Sequence, residues 1–246
     1  MIFSFFKKKE KENKRGPLLT VDLHSHLIPA IDDGSQSMEE SLNLLKGMET
    51  LGYEKVITTP HIMADSYKNT PDIINSGLLM LRMEAKRAGI SLYIEAAAEY
   101  YLDDGFIQLL EKGNMLTISK DEYLLFETSY MAKPINLEEM IFDIGAAGYV
   151  PLFAHPERYR YIKEPEKEYG RLKELGVLFQ VNLNSFSGHY GRSAKKNAEF
   201  LSKHGMIDFL GSDVHHKKQV ETLSNVFLSD AYANIFKHNT IRNETL

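Results

Sequence analysis

The sequence predicts an α/β fold, a seven-stranded (β/α) barrel, and two observations lead there. Seven short runs rich in Val, Ile, Leu, Tyr and Phe alternate with segments of helical period. That alternation is the pattern of parallel strands joined by right-handed crossovers. His, Asp or Glu then stands at or just past the C-terminal end of most of these runs, and a parallel barrel gathers those ends into one mouth. The competing architecture is a doubly wound open sheet. It would carry a Gly-rich phosphate loop after its first strand and would hold its first and last strands apart. Here the first strand leads into His24-Ser25-His26 instead.

The strands are expected at about 18–25, 55–60, 91–98, 122–127, 149–154, 177–183 and 207–212, bounded by Gly, Pro, Asp or Asn. The first helix is well marked. Ser37-Met38-Glu39-Glu40 has the form of a capping box, and Met38, Leu42, Leu45 and Met48 recur at helical spacing until Gly52, so it should run from about 38 to 51. Further helices are expected near 71–88, 103–112, 136–147, 165–175, 193–204 and 217–236. Several stop at Gly89, Gly113, Gly148, Gly176 or Gly205, where a left-handed cap costs least.

With 246 residues, 43% hydrophobic and 26% charged, the chain can bury a full core, and residues 18–246 are expected to form one barrel domain. The absence of cysteine excludes disulfides, thiolate metal sites and cysteine-nucleophile chemistry. No apolar run approaches the ~20 residues that cross a bilayer. Residues 1–17 carry six Lys or Arg against two Glu, a formal +4 that leaves −9 on the rest of a chain whose total is −5. This tail is expected to be disordered, with Phe3, Phe5 and Phe6 beside Lys7-Lys8-Lys9 offering weak contact to an anionic membrane surface. Its charges follow the apolar stretch and no small-residue cleavage site comes after them, so it does not read as a signal peptide and a cytoplasmic location is expected. The acidic body argues against a nucleic-acid partner, whose binding depends on phosphate neutralisation.

Nine side chains are candidate metal ligands: His24, His26, Asp33, His61, Glu99, Glu127, His155, Asp213 and His215. His24 and His26 leave one side of a strand while Ser25 points away, so the two imidazoles converge. Singly, such residues are weak signals; Asp33 beside Asp32 and Gly34 also fits a plain turn, and His189, His204 and His238 read as surface histidines. Jointly, their recurrence at strand ends is hard to obtain from turns or core packing. Glu99 and Glu127 follow the apolar runs Leu92 to Ala98 and Tyr123 to Phe126, where an ionised carboxylate is costly unless a cation pairs it. Imidazole with carboxylate suits Mn²⁺, Fe²⁺ or Zn²⁺. The chemistry implied is multinuclear metal hydrolysis.

The motifs Asp22-Leu23-His24-Ser25-His26, Asp32-Asp33-Gly34, Thr59-Pro60-His61, Ala98-Glu99-Tyr100, Phe126-Glu127, Ala154-His155-Pro156-Glu157-Arg158-Tyr159 and Ser212-Asp213-Val214-His215 cover about residues 20–216. In them the chain resembles the polymerase-and-histidinol-phosphatase (PHP) superfamily, and within it the bacterial manganese-dependent protein-tyrosine phosphatases of the CpsB/CapC type. The resemblance implies a distorted, TIM-like seven-stranded barrel with three metal ions; taken with the ligand chemistry, two to three divalent ions are expected, manganese foremost and iron or zinc as alternatives. It implies all nine residues as ligands, Glu99 as a bridge, and Arg158 as a catalytic contact to phosphate. The implied substrate is a phosphotyrosine protein, the tail of a tyrosine autokinase of capsule or exopolysaccharide synthesis. The chain departs from the family after His215, where many members place an Arg a few residues on; here His216-Lys217-Lys218-Gln219 stands, and Lys217 or Lys218 is the substitute charge. Asn184 and Arg192, after the sixth strand, are further substrate-binding candidates, with a turn Asn and a surface Arg as equal alternatives. A small-metabolite phosphatase acting on a compound such as histidinol phosphate, an amidohydrolase and a non-catalytic metal-binding barrel stay open beside this reading.

Overall fold

Period-two burial builds the strands. In the segment Tyr123–Glu127, Leu124 and Phe126 join a large apolar cluster that includes the helical residues Leu45, Ile141, Leu172 and Leu201. Tyr123 and Leu125 turn the other way, into a smaller cluster with Leu23, Ile57, Leu152 and Phe209. Glu127 shares their parity, so the strand that buries Leu125 also delivers a carboxylate to the same inner face. The same holds for Leu178, Gln180 and Asn182.

This computed structural model describes residues 17–246. The expected basic tail lies, except for Pro17, outside the described residues. Nine parallel strands are found among those described: β1 (Val21–Asp22), β2 (Lys55–Thr58), β3 (His61–Ile62), β4 (Tyr93–Ala96), β5 (Glu99–Tyr101), β6 (Tyr123–Glu127), β7 (Val150–Ala154), β8 (Leu178–Asn182) and β9 (Phe209–Gly211). The helices are α1 (Met38–Leu51), α2 (Pro71–Arg87), α3 (Asp104–Lys112), α4 (Leu137–Ala146), α5 (Pro165–Glu174), α6 (Arg192–Lys203), α7 (Lys217–Phe227) and α8 (Asp230–His238). None of them is long and apolar enough to cross a membrane.

The strands form two sheets, ordered β1-β2-β4 and β3-β5-β6-β7-β8-β9, and neither is closed. The single seven-stranded barrel expected from sequence is therefore not what the ladders form. The expected second and third strands, 55–60 and 91–98, end early as β2 and β4, and the short strands β3 and β5 follow just beyond their expected ends. Pro60, which has no N–H to donate, stands between β2 and β3, and Ala97-Ala98 faces it between β4 and β5. Register survives the break: Thr58 pairs with Ala96 and His61 with Glu99. Ala97 N donates to Thr58 O (2.9 Å) and Glu99 N to Pro60 O (3.1 Å) across the gap. Beyond β1 and β9 the chain pairs again, with Asp213 N donating to His24 O (2.8 Å) and His26 N to Val214 O (2.9 Å).

The first helix is found where expected, with the Ser37 hydroxyl accepting from Glu40 N. The last expected helix, 217–236, is two. Ser229 caps α8 by accepting from Tyr232 N (3.2 Å), and that local bond ends α7 before it.

Candidate metal centre

The nine candidate ligands converge. His24 and His26 bring their Nε2 atoms to 3.3 Å, while Ser25 turns away to donate to Ile57 O. Gln180 Oε1 lies 2.6 Å from His24 Nδ1, and Asp32 Oδ2 lies 2.8 Å from His26 Nδ1. A proton on each Nδ1 satisfies those acceptors and leaves both Nε2 lone pairs facing the shared space. Glu99 fills the middle: its Oε2 is 3.3 Å from His24 Nε2, 3.5 Å from His26 Nε2 and 3.1 Å from His61 Nδ1. Its Oε1 is 2.9 Å from His155 Nε2. Glu127 Oε1 approaches His61 Nδ1 at 3.2 Å, and Asp33 Oδ1 lies 3.3 Å from His61 Nε2 and 3.5 Å from His215 Nε2.

Four overlapping sets each bring their donor atoms within 4.8 Å: His26-Asp33-His61-His215, His24-His26-Asp213, His24-Glu99-His155 and His61-Glu99-Glu127. The donor chemistry fits divalent ions. Glu99 Oε2 and His61 Nδ1 are buried and make no hydrogen bond despite this crowding, and a cation is the partner such geometry lacks. The backbone bends to build the site. His155 (φ 35°) and Asp213 (φ 51°) are both left-handed, a costly conformation for side chains of this kind that clusters where function demands it. A side chain at Gly211 would meet Gln180 Nε2 at 2.5 Å and His24 Cβ at 2.8 Å, so only glycine lets β9 pass this close.

The imidazoles and carboxylates of the cluster shift one another's pKa values. Burial, the largest single influence, pulls the His24 pKa down, but Glu99 and then Asp213 outweigh it and leave it raised to about 9. His61 is raised in the same way, against its burial, by Glu99, Asp33 and Glu127. His215 follows through Asp213 and Asp33. Burial pushes the Glu99 carboxyl up, yet His24 and His61 hold it well below the usual range. His155 is the exception, since burial and then Arg158 both lower its pKa and favour the neutral ring.

Asp213 divides its oxygens. Oδ1 faces the imidazoles, 3.6 Å from the Nε2 of both His24 and His26. Oδ2 accepts from Arg158 Nη1 (2.7 Å), Asn182 Nδ2 (2.7 Å) and Tyr190 OH (3.2 Å). Arg158 thus reaches the cluster, its guanidinium carbon 4.6 Å from the Tyr130 ring centroid and 4.2 Å from that of Tyr190. Its neighbour Glu157 is engaged elsewhere, accepting from Asn182 N (3.0 Å) and Ser185 Oγ (2.6 Å), with burial pushing its carboxyl up to about 7.

A family model for capsular polysaccharide synthesis proteins, CpsB/CapC, matches residues 20–226. The chain belongs to the CpsB/CapC family. It is 29% identical over 198 residues to tyrosine-protein phosphatase YwqE of Bacillus subtilis (strain 168), covering 80% of this chain and 78% of the relative. The crystal structures of YwqE from Bacillus subtilis and CpsB from Streptococcus pneumoniae, described as unique metal-dependent tyrosine phosphatases, include a chain matching this one at TM-score 0.77. That match has 27% identity and covers 90% of this chain and 96% of the other. Histidinol phosphate phosphatase of Lactococcus lactis shares the fold at TM-score 0.52 and 13% identity, over 86% of this chain and 93% of that one.

Two candidates of this CpsB/CapC chain stand apart from the cluster's contacts. Asn184, in the turn Leu183–Ser187, is buried and donates to Gln219 O (3.2 Å), bracing the start of α7. Arg192, the first residue of α6, is exposed and forms no side-chain hydrogen bond or ion pair among the described residues. Lys217 and Lys218 open α7 and are exposed, with Lys217 Nζ 3.9 Å from Glu221. Asp32, Gln180, Asn182, Tyr130 and Tyr190 are site residues that the sequence reading left out. Gln180 and Asn182 did leave a signal, two amides of one parity inside an apolar strand; Gln180 Nε2 donates to Asn182 Oδ1 (2.8 Å), aiming Oε1 at His24.

Proposed function

We propose that this chain is a metal-dependent protein-tyrosine phosphatase acting on the phosphotyrosine tail of a tyrosine autokinase of capsule or exopolysaccharide synthesis, in the cytoplasm. The carrying observation is Glu99 Oε2, buried among three imidazoles at 3.1 to 3.5 Å with no hydrogen bond. The nine side chains would hold two or three ions, manganese before iron or zinc, with Glu99 shared between ions. Residues 18–246 form one domain on this reading, and the two sheets are arcs of one distorted seven-stranded barrel. The pairing of Ser25 with Val214 supports that.

When bound, such ions supply Lewis acidity and an activated water. The chain's own residues do the rest. Arg158 binds and orients the phosphate, and Gln180 and Asp32 keep the imidazoles turned with Nε2 inward. Tyrosine leaves as a phenolate of pKa about 10, which needs less acid assistance than an alkoxide. Tyrosine-phosphatase relatives support the substrate class.

Direct displacement at phosphorus needs no enzyme nucleophile, and no cysteine is present to supply one. A single turnover of a phosphotyrosine peptide by manganese-loaded protein in ¹⁸O water should put one label into the released phosphate. Trapping a phosphohistidine on the reaction path would overturn this.

A further inference from the structure

Arg158 lies over two tyrosine rings. Tyr130 comes from the loop after β6, three residues beyond Glu127, and Tyr190 from the turn before α6. Their rings sit 4.6 and 4.2 Å from the guanidinium carbon, close enough for stacking and cation–π attraction. Each hydroxyl is tied to a carboxylate of the cluster, Tyr130 OH to Glu127 Oε2 (3.4 Å) and Tyr190 OH to Asp213 Oδ2 (3.2 Å). Behind Tyr130 stands a column of rings: Tyr159 stacks on it at 5.5 Å, and Phe153 stacks on Tyr159 at 4.7 Å. Gln219 Nε2 donates to Tyr190 OH (3.3 Å) from the other side.

The guanidinium spends one N–H on Asp213, and among the described residues no other side chain or carbonyl accepts from it. Its remaining N–H groups have no acceptor among the described residues, while the two rings lie within 4.6 Å of its central carbon. A free arginine loses rotamer entropy when it grips a ligand, whereas one already stacked has lost it on folding.

We propose that Tyr130 and Tyr190 are positioning residues that clamp Arg158 flat beside the cluster, so that its free N–H edge meets a phosphate in one orientation; this rests on reading Arg158 as a phosphate contact. The two rings would act through the arginine and not on the ions.

Calorimetric titration of manganese-loaded protein with inorganic phosphate tests this without any turnover. Tyr130→Leu and Tyr190→Leu should each weaken phosphate binding about tenfold, with metal content and melting temperature followed alongside. In an Arg158→Ala background the same substitutions should change the Kd by less than about twofold. Tyr130→Phe keeps the ring and should retain phosphate binding. Equal losses in both backgrounds, or no loss in the parent, would overturn the clamp. Should a leucine variant fail to fold, Arg158→Lys serves instead: it keeps the charge without the flat face and should also lose about tenfold, and an unchanged Kd would overturn the proposal. Protein that binds phosphate in the expected pattern yet hydrolyses no phosphotyrosine peptide would keep the clamp and lose the phosphatase reading. A phosphatase whose phosphate affinity ignores all these changes would do the reverse.

Discussion

Stripping the ions with a chelator is expected to abolish phosphatase activity and to lower the melting temperature by at least about 10 °C, since even one ion held far above its Kd stabilises the folded state by roughly 4 kcal/mol. The metal-free protein should nonetheless stay folded near neutral pH. Protons on His24, His61 and His215 then stand in for the ions, offsetting Glu99, Asp33 and Asp213. The dependence on pH follows from the direction of the shift. The His24 pKa is about 9 in the folded protein against an ordinary 6.5. Its protonation therefore contributes stability fully below about 6.5, and that contribution is lost as pH rises through about 9. Melting curves of the metal-free protein should fall across that window while those of the loaded protein hold, because bound ions replace the protons. Elemental analysis showing less than one ion per chain after growth with manganese and iron would sink the metal reading.

The convergence of the nine candidate ligands was legible in the sequence because few residue types can hold such ions once cysteine is absent, and because strand parity fixes which of them point together. Glu127 illustrates this: its place on the inner face follows from Tyr123 and Leu125. The supporting residues were harder to see. Asn182 reads as one more residue of its strand until its amide is found on Asp213, 31 positions away. Tyr130 and Tyr190 lie in loops, where no periodicity tells a ring over the mouth from a ring in solvent.

The fold's departures have equally local causes. Thr58-Thr59-Pro60-His61 continues an extended pattern, and only the missing N–H of Pro60 breaks the ladder there. The apolar period of α7 runs on past Phe227, hiding a boundary that a single hydroxyl, Ser229, sets.

Arg158→Ala is expected to cut kcat/KM for phosphotyrosine peptides by roughly 10²-fold or more, on the order of 3 kcal/mol of transition-state stabilisation. In the folded chain Arg158 is ion-paired with the candidate ligand Asp213. Its loss therefore has two routes to inactivity, a missing phosphate contact or a displaced ligand. Metal content separates them. Asp213 Oδ2 keeps Asn182 and Tyr190 as donors after the substitution, so its Oδ1 should stay turned toward His24 and His26 and the ions should remain. A variant that keeps its ions but loses activity places Arg158 on the substrate; one that loses its ions makes Arg158 a support for Asp213, and near-normal activity would remove it from both roles. The parent enzyme assayed beside it should prefer phosphotyrosine to phosphoserine peptides, since the same ions and arginine face a better leaving group. Histidinol phosphate turned over far better than any phosphotyrosine peptide would overturn the substrate class while leaving the metal-dependent phosphatase intact, because the ligands that hold the ions do not distinguish what the phosphate is attached to.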